Sequence, residues 1–282
     1  MIAFLGSGLL GSNFVRAMLS RGEQVHVWNR SASKAKALEQ YGAIAFDSVE
    51  DAVRGADRIH VTLSDDAAVD DVLEHARTGI RDGVAIVDHT TTSPEGTRAR
   101  VERWTTRGID FLHAPVFMGP PNALAATGVM LASGEEARFE RLRPHLEVMT
   151  GTVVYLGSDP ARAAGIKLVG NLFIVELTGA IGDSVALAKS MGIPGEDVAK
   201  LFEFFNPGAQ VTGRLKRMLD ANFTHPSWTL AMARKDTRLM LEAARAGDVE
   251  LTILPRIAEQ MDAWIAKGRD QDDWMVINSD IV

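Results

Sequence analysis

The sequence feature that most constrains the fold is a glycine pattern close to the start of the chain. Gly6, Gly8 and Gly11 follow a short apolar stretch over residues 2–5, and apolar residues at helical spacing continue to Leu19. A strand, a tight turn and a helix in this order predict the opening unit of a dinucleotide-binding fold. The pattern alone would be a weak signal because glycine is common in loops, but here both flanking elements accompany it.

Each glycine has a distinct predicted role in this turn. Gly6 would allow the sharp bend, Gly8 would let a pyrophosphate approach the backbone, and Gly11 would let the helix pack closely on its strand. Backbone N–H groups at the start of the helix, aided by the helix dipole, would hold the phosphates. The predicted phosphate-binding residues are Gly6, Ser7, Gly8, Leu9, Leu10 and Gly11.

The end of the second predicted strand, residues 23–28, indicates which dinucleotide would bind. At this place an acidic residue accepts hydrogen bonds from the ribose of NAD, whereas an arginine accommodates the 2′-phosphate of NADP. This chain has no acid there and carries Asn29, Arg30 and Ser31, with Lys34 one helical turn further on. We therefore expect NADP(H) as cofactor; the alternative is a solvated helix start with Ser31 as its N-cap.

Strands and helices alternate along the first part of the chain, which predicts an α/β fold with a parallel sheet covered on both faces. Further strands are predicted over residues 57–63, 84–87, 109–112, 129–132 and 153–155. Ligands of such sheets lie beyond the carboxyl ends of the strands, so Leu63, Ser64 and Thr91 are expected near the cofactor. Thr91 has a second interpretation, since the run before Pro94 is also typical of a helix cap.

The character of the sequence changes near residue 160. No convincing strand follows, and a long helix is predicted over residues 161–191, apolar on more than one face and hence expected to be buried by several partners. Shorter helices are predicted over residues 194–205, 209–219, 228–246 and 250–267. The predicted organisation is a Rossmann-type dinucleotide-binding domain, 1–160, followed by an all-helical domain, 161–282.

Lys167 and Asn171 lie four residues apart near the start of the predicted long helix, so both side chains would point from one face. One explanation for a lysine on such an apolar helix is an active-site cleft, where burial would lower its pKa and let it exchange a proton near neutral pH. The alternative is a surface lysine whose stem lies along apolar neighbours while its amine reaches water. Spacing alone leaves both interpretations open.

The composition limits the classes of function. A formal net charge of −7 disfavours a nucleic-acid partner. The absence of cysteine excludes disulfides and thiolate chemistry, and the spacing of the seven histidines predicts no metal site. No apolar run is expected to reach the length of a membrane span, and a first strand at residue 2 is expected to leave no room for a leader. We expect a cytoplasmic protein that acts on a small molecule.

Taken together, these motifs resemble those of the β-hydroxyacid dehydrogenases, which include 3-hydroxyisobutyrate dehydrogenase, tartronate semialdehyde reductase and the glyoxylate/succinic semialdehyde reductases. The resemblance covers nearly the whole chain. It rests on the three glycines, Asn29 with Arg30, Asp88 to Thr91 with Pro94, Ala114 to Val116, Lys167 with Asn171, and Lys235 with Asp236. Several motifs in the right order are far more specific than the glycine pattern alone.

The resemblance implies roles for individual residues. Lys167 would be the catalytic acid/base, protonating the carbonyl oxygen as hydride arrives from the nicotinamide, and Asn171 would help to hold the substrate. Lys235 would lie near the cofactor, and Asp236 would support the substrate site. Homodimers that form through the helical domain are usual in this family.

The predicted substrate segment departs from the family pattern. Besides Lys167, Asn171 and Asp236, it comprises Thr91, Pro115, Val116, Phe117, Met118 and Gly119. Relatives usually carry Ser-Gly-Gly after Pro-Val, where that segment binds the substrate carboxylate, and an aspartate at the position of His113. The bulky apolar pair Phe117 and Met118 indicates a carbonyl compound that is larger or more apolar than a small hydroxy acid.

Two alternatives accompany this interpretation. Residues 27–31 and 156–160 resemble the imine reductases, which share the fold and NADPH but typically carry Asp or Tyr at the position of Lys167. The lysine therefore favours alcohol–carbonyl chemistry, with imine reduction as the closest alternative. A second alternative is an NADP-binding protein without catalysis, against which the Lys167 and Asn171 pair argues.

Overall fold

The computed structural model describes residues 1–281, which form two compact units, 1–171 and 172–281. The first unit contains a six-stranded parallel sheet with strand order β3-β2-β1-β4-β5-β6. Its strands are β1 (Ile2–Leu5), β2 (Val25–Trp28), β3 (Ile44–Phe46), β4 (Arg58–Val61), β5 (Ala85–Asp88) and β6 (Asp110–His113). This arrangement confirms the predicted Rossmann-type sheet.

Helices follow the strands of the first unit. They are α1 (Leu9–Ser20), α2 (Ala32–Lys36), α3 (Val49–Val53), α4 (Asp66–Ala76), α5 (Pro94–Thr106), α6 (Pro120–Ala125) and α7 (Glu136–Glu147), with 3₁₀ turns at Glu39–Tyr41 and Arg77–Gly79. Two apolar cores form, one containing Phe4 and Phe14 and the other containing Leu5 and Trp104. Because adjacent residues of β1 belong to different cores, both faces of the sheet are covered.

A smaller sheet follows the parallel one in the chain. It consists of β7 (Val116–Phe117), β8 (Val129–Ala132) and β9 (Thr152–Tyr155), with β7 antiparallel to β8. No strand was predicted over residues 116–117, so β7 is an addition to the predicted elements. Phe117 there pairs with Val129, so its side chain stands at a fixed place at the edge of a sheet.

The longest helix, α8 (Arg162–Ser190), begins in the first unit and ends in the second. The second unit adds α9 (Gly195–Phe204), α10 (Val211–Leu219), α11 (Leu230–Ala246) and α12 (Leu254–Ala266), with 3₁₀ turns at Pro207–Gln210 and Trp274–Asn278. Its core contains Leu230, Trp264 and Val276. The predicted helices are therefore present, and the predicted domain boundary at residue 160 stays a prediction.

The surface of α8 differs from the expectation that several partners bury it. Leu172, Ile174 and Leu177 are each at least half exposed within this single chain. By length and composition the helix could also cross a membrane, which overturns the prediction that no apolar run is long enough. This is a weak indication of a membrane, because a packing helix of a soluble protein passes the same test.

Candidate active site

The turn between β1 and α1 requires two of its three glycines for backbone packing. Gly6 has φ of +99°, and a Cβ there would lie 2.1 Å from the carbonyl oxygen of Thr62. A Cβ on Gly11 would lie 2.0 Å from the carbonyl oxygen of Gly6. Gly8 has φ of −70° and no protein atom within 4 Å of its would-be Cβ, so the space beside it is open.

This difference predicts separable effects of alanine at two of these positions. Gly11→Ala should lower the free energy of unfolding by about 2 kcal/mol or more, since its Cβ meets fixed backbone. Gly8→Ala should leave that free energy within about 0.5 kcal/mol but weaken dinucleotide binding about tenfold or more, because the phosphates need the open space. Urea denaturation and NADPH titration of both variants measure this. Equal effects of the two substitutions on folding would contradict the assignment.

A cleft of about 760 Å³ opens beyond the carboxyl ends of β1, β2, β4 and β5. Ten of the predicted site residues line it: Gly8, Leu9, Leu10, Asn29, Arg30, Ser31, Lys34, Leu63, Ser64 and Thr91. Gly6, Ser7 and Gly11 do not line the cleft but belong to the turn between β1 and α1 that carries Gly8, Leu9 and Leu10. The first intrahelical hydrogen bond of α1 runs from Ser12 N to Gly8 O, so the amides of residues 9–11 are left for a ligand. The cleft therefore has the donors and the space that a dinucleotide requires.

At one end of the cleft, Asn29 ties the glycine turn to the end of β2. Its Oδ1 accepts a hydrogen bond from Ser7 N at 2.9 Å, and its Nδ2 donates to Ser31 O at 3.1 Å. Arg30 and Lys34 are exposed and face the cleft, whereas Lys36 pairs with Asp47. Ser31 does stand at the N-cap of α2, but its side chain makes no capping hydrogen bond. The local structure thus leaves two cations for an anionic ligand.

At the end of β5, the hydroxyls of Thr90 and Thr92 have partners within the described part of the chain, whereas none is found there for Thr91. Thr90 Oγ1 accepts a hydrogen bond from Leu63 N, and Thr92 Oγ1 bonds to Thr97 Oγ1. Ser93 is the side chain that caps α5, since it accepts from Gly96 N. Thr91 is exposed and lines the cleft. This arrangement fits Thr91 as a ligand contact better than as a helix cap.

Sequence reasoning missed one wall of the cleft because it did not predict α4. Ala68, Asp71, Val72 and His75 line this wall, and Asp65 caps the helix by accepting from Ala68 N. An Asp N-cap followed by apolar residues at helical spacing was the available signal. Trp28, Asp47 and His89 also line the cleft and were not predicted.

Beneath the cleft, a chain of hydrogen bonds crosses the sheet. His89 Nδ1 lies 2.7 Å from Ala114 O, which can only accept, so this nitrogen carries the proton. His89 Nε2 then accepts from His60 Nδ1 at 2.9 Å, and His60 Nε2 accepts from Arg58 Nε at 3.2 Å. Both imidazoles are therefore neutral in the folded protein, and the chain ends on the residue before Pro115.

Burial lowers the pKa of His89 to about 4 and holds the pKa of His60 well below its ordinary value. The unfolded chain takes up protons on both rings below pH 6.5, whereas the folded chain does not. Stability is therefore fully present above pH 6.5 and is lost as the pH falls toward about 4. His89 alone should account for about 3 kcal/mol of this loss.

Urea denaturation at a series of pH values tests this expectation. His89→Asn keeps a donor for Ala114 O but removes the titrating ring, so its free energy of unfolding should fall less steeply with acid. His75→Asn is the matched control, because His75 is 70% exposed. The assignment fails if native protein and His89→Asn lose stability in parallel between pH 6.5 and about 4.

His113, the last residue of β6, does not lie on the surface. Its ring is fully buried, with Nδ1 at 3.6 Å from Asp88 Oδ2. Asp88 also accepts from Thr90 N and lies 3.9 Å from Arg100 Nη1, so it supports the segment that carries Thr91. His113 thus belongs to the structural support of the site. Within residues 1–281, no group of His, Asp and Glu side chains is arranged to hold a metal.

Lys167 lies on the first part of α8 and is 9% exposed. Its Nζ is 4.2 Å from the centroid of the Phe117 ring. Burial lowers the pKa of Lys167, and no charged neighbour contributes. The structure thus brings Lys167 together with the predicted substrate segment, and its amine does not have the exposed position of a surface lysine.

The remaining predicted site residues, Asn171, Lys235 and Asp236, lie on two different helices. Asn171 lies one turn after Lys167 on α8 and is half-buried. Lys235 and Asp236 lie on α11 of the second unit, where they form an ion pair with each other. Their contacts with cofactor and substrate stay predictions.

The parallel sheet, the glycine turn and the cleft define the class of pyridine-nucleotide-dependent oxidoreductases. Residues 1–157 match the NAD binding domain of 6-phosphogluconate dehydrogenase, and the chain belongs to that family.

Individual relatives share most of the chain. An uncharacterized oxidoreductase of Shewanella frigidimarina is 28% identical over 89% of this chain and 88% of its own. The 3-sulfolactaldehyde reductase of Escherichia coli is 24% identical over 98% of this chain and 94% of its own. The imine reductase of Myxococcus stipitatus, solved with NADP⁺, superposes with a TM-score of 0.92 at 23% identity, covering 99% of this chain and 98% of its own. The resemblance to the β-hydroxyacid dehydrogenases is thereby confirmed, and the fold is shared with the imine reductase.

Proposed function

We propose that the protein is an NADP(H)-dependent reductase or dehydrogenase that transfers hydride between the nicotinamide and a carbonyl or hydroxy-acid type substrate. Lys167 is the catalytic acid/base, and Asn171 helps to hold the substrate. The observation that carries this proposal is the Lys167 side chain, which is 9% exposed and whose amine has no charged partner and lies beside the predicted substrate segment. An unpaired amine on a largely buried side chain is costly for folding, which is typical of a group kept for chemistry.

The bound dinucleotide would supply the hydride, and the protein would supply position and protons. The glycine turn and the first turn of α1 would hold the pyrophosphate, with Leu63, Ser64 and Thr91 beside the strand ends. Lys167 Nζ would donate a proton to the carbonyl oxygen during reduction and take it back during oxidation. The lowered pKa of Lys167 favours both directions, because it brings the amine closer to neutral pH.

The preference for NADP(H) is proposed from the charges at the end of β2. Arg30 and Lys34 face the cleft without the acidic residue that would bind an unmodified ribose. Lys235 is proposed as a further cofactor contact, with Asp236 supporting the substrate site.

The proposed substrate is larger or more apolar than a small hydroxy acid. Phe117 and Met118 occupy the strand and turn that lead to α6, and neither offers a hydrogen bond to a carboxylate. The same apolar pair favours imine reduction as the second candidate. Lys167 argues for the carbonyl, since an ammonium group is suited to protonating a developing alkoxide.

A homodimer through the helical unit is the proposed assembly. Besides the exposed apolar residues of α8, α9 ends on Phe204, which is 80% exposed. An apolar surface of this extent is typical of a subunit interface.

We propose the cytoplasm as the compartment, in keeping with the absence of cysteine.

The proposal is tested by following NADPH oxidation with purified protein. Succinic semialdehyde, glyoxylate, a bulkier aldehyde acid and a cyclic imine are offered in parallel. We expect turnover of an aldehyde, with the bulkier compound preferred. Turnover of the imine alone would replace the proposal with imine reduction, and tight NADPH binding without any turnover would favour a non-catalytic binding protein.

A further inference from the structure

The contact between Lys167 and Phe117 depends on a position of α8 that carries no side chain. Gly170 follows Lys167 by three residues, so both lie on the same face of the helix. A Cβ on Gly170 would lie 2.3 Å from Phe117 Cζ and 2.6 Å from Phe117 Cε1. The tip of the ring therefore occupies the space that the missing side chain leaves, and any larger residue at position 170 would force the ring to move.

The backbone that carries the Phe117 ring is also constrained. Phe117 belongs to β7, whose pairing with β8 places it opposite Val129. A Cβ on Gly128 would lie 2.8 Å from Met118 Cγ and 3.0 Å from Phe117 O, so the backbone of this segment also packs tightly. The sheet thus fixes the backbone of Phe117, Gly170 leaves room for the tip of its ring, and the Lys167 amine lies 4.2 Å from the ring centroid.

We propose that Phe117 is a positioning residue that holds the Lys167 amine over its ring face, and that Gly170 leaves the space that the ring occupies. The inference rests on the proposed function of Lys167. The negative face of an aromatic ring attracts an ammonium group without offering it a proton acceptor. The ring thus fixes the amine in one place and leaves its proton free for transfer to the substrate.

The ring has two effects on the Lys167 pKa, and they oppose each other. Its attraction for the ammonium stabilises the charged form and raises the pKa, whereas its bulk excludes water and lowers the pKa. No charged group contributes to the pKa of Lys167. Phe117→Leu removes the first effect and keeps most of the second, because leucine is also apolar and bulky.

The experiment measures the Lys167 pKa directly on the full chain. The rate at which acetic anhydride modifies Lys167 is followed by mass spectrometry across a pH series, because only the neutral amine reacts. Phe117→Leu should lower the pKa by roughly 0.5 to 1.5, the range of a partly desolvated cation–π contact. Gly170→Ala expels the ring and should lower it similarly, but should add little in the Phe117→Leu background. Met118→Leu is the matched control and should leave the Lys167 pKa unchanged.

An unchanged or raised Lys167 pKa in Phe117→Leu would overturn the inference, since the ring would then act at most as a shield against water. The pH profile of turnover should move in parallel with the labelling profile. If Lys167→Met retains turnover, Lys167 is not the catalytic acid/base and the proposed function fails. If Phe117→Leu nevertheless shifts the Lys167 pKa measured by labelling, the contact between the two residues is still supported. If Lys167→Met abolishes turnover, the proposed function of Lys167 is supported. If Phe117→Leu then shifts neither the pH profile of turnover nor that of labelling, Phe117 has no positioning role.

Discussion

Replacing Lys167 with methionine is expected to reduce turnover by about two to four orders of magnitude, the usual contribution of a positioned proton donor. Methionine keeps the unbranched apolar stem and its contact with Phe117 but removes the amine. Dinucleotide affinity should be unchanged, because Lys167 is not among the residues that line the cleft. The free energy of unfolding should not fall, since the substitution removes a buried amine that no charged group stabilises.

Steady-state turnover and NADPH titration of the same samples measure this. Lys189→Ala, an exposed position in the last turn of the same helix, is the matched control and should behave as the native protein. A second variant, Lys167→Arg, keeps the charge but cannot release its proton, so it should be as impaired as Lys167→Met. Turnover of Lys167→Met within a few-fold of native would remove Lys167 from the mechanism.

Removing both cleft-facing cations, in Arg30→Ala with Lys34→Ala, is expected to weaken NADPH binding about 10- to 100-fold. One charge-assisted hydrogen bond to the 2′-phosphate is worth about 1.5 to 3 kcal/mol, and about 1.4 kcal/mol corresponds to tenfold in affinity. NADH lacks that phosphate, so its affinity should change little. Fluorescence titration with both dinucleotides gives the two dissociation constants.

Lys36→Ala is the matched control, since Lys36 lies on the same short helix but pairs with Asp47. It should alter neither affinity. The effect of the double variant should also diminish at high salt, because exposed charges are screened. An equal loss for NADH and NADPH would show that these cations hold the pyrophosphate, and the assignment of the 2′-phosphate would be wrong.

The sequence was sufficient for those parts of the fold that depend on local pattern. The glycine turn, five of the six strands of the parallel sheet and α8 were predicted because apolar periodicity and glycine spacing are local signals; the short edge strand β3 was missed. Thr91 and Arg30 could be placed in the cleft because strand ends of a parallel sheet share one edge. These residues are predictable from topology alone.

Other features depend on contacts between distant residues. β7 has two residues, and only its pairing with β8 makes it a strand. His113 is polar by sequence, yet its strand lies within the packed part of the first unit and buries it. The packing of Phe117 against Gly170 joins positions more than fifty residues apart, and no local pattern records it. Exposure of α8 is likewise decided by what packs on it rather than by its composition.

The hydrogen-bonded pair His60 and His89 has a practical consequence. Imidazole N–H protons that are shielded from solvent exchange slowly and give separate resonances in NMR spectra. The proton on His89 Nδ1 is held by Ala114 O, three residues before Phe117. Its chemical shift is therefore an internal probe of the substrate segment, readable without any label in that segment and sensitive to each ligand that moves it.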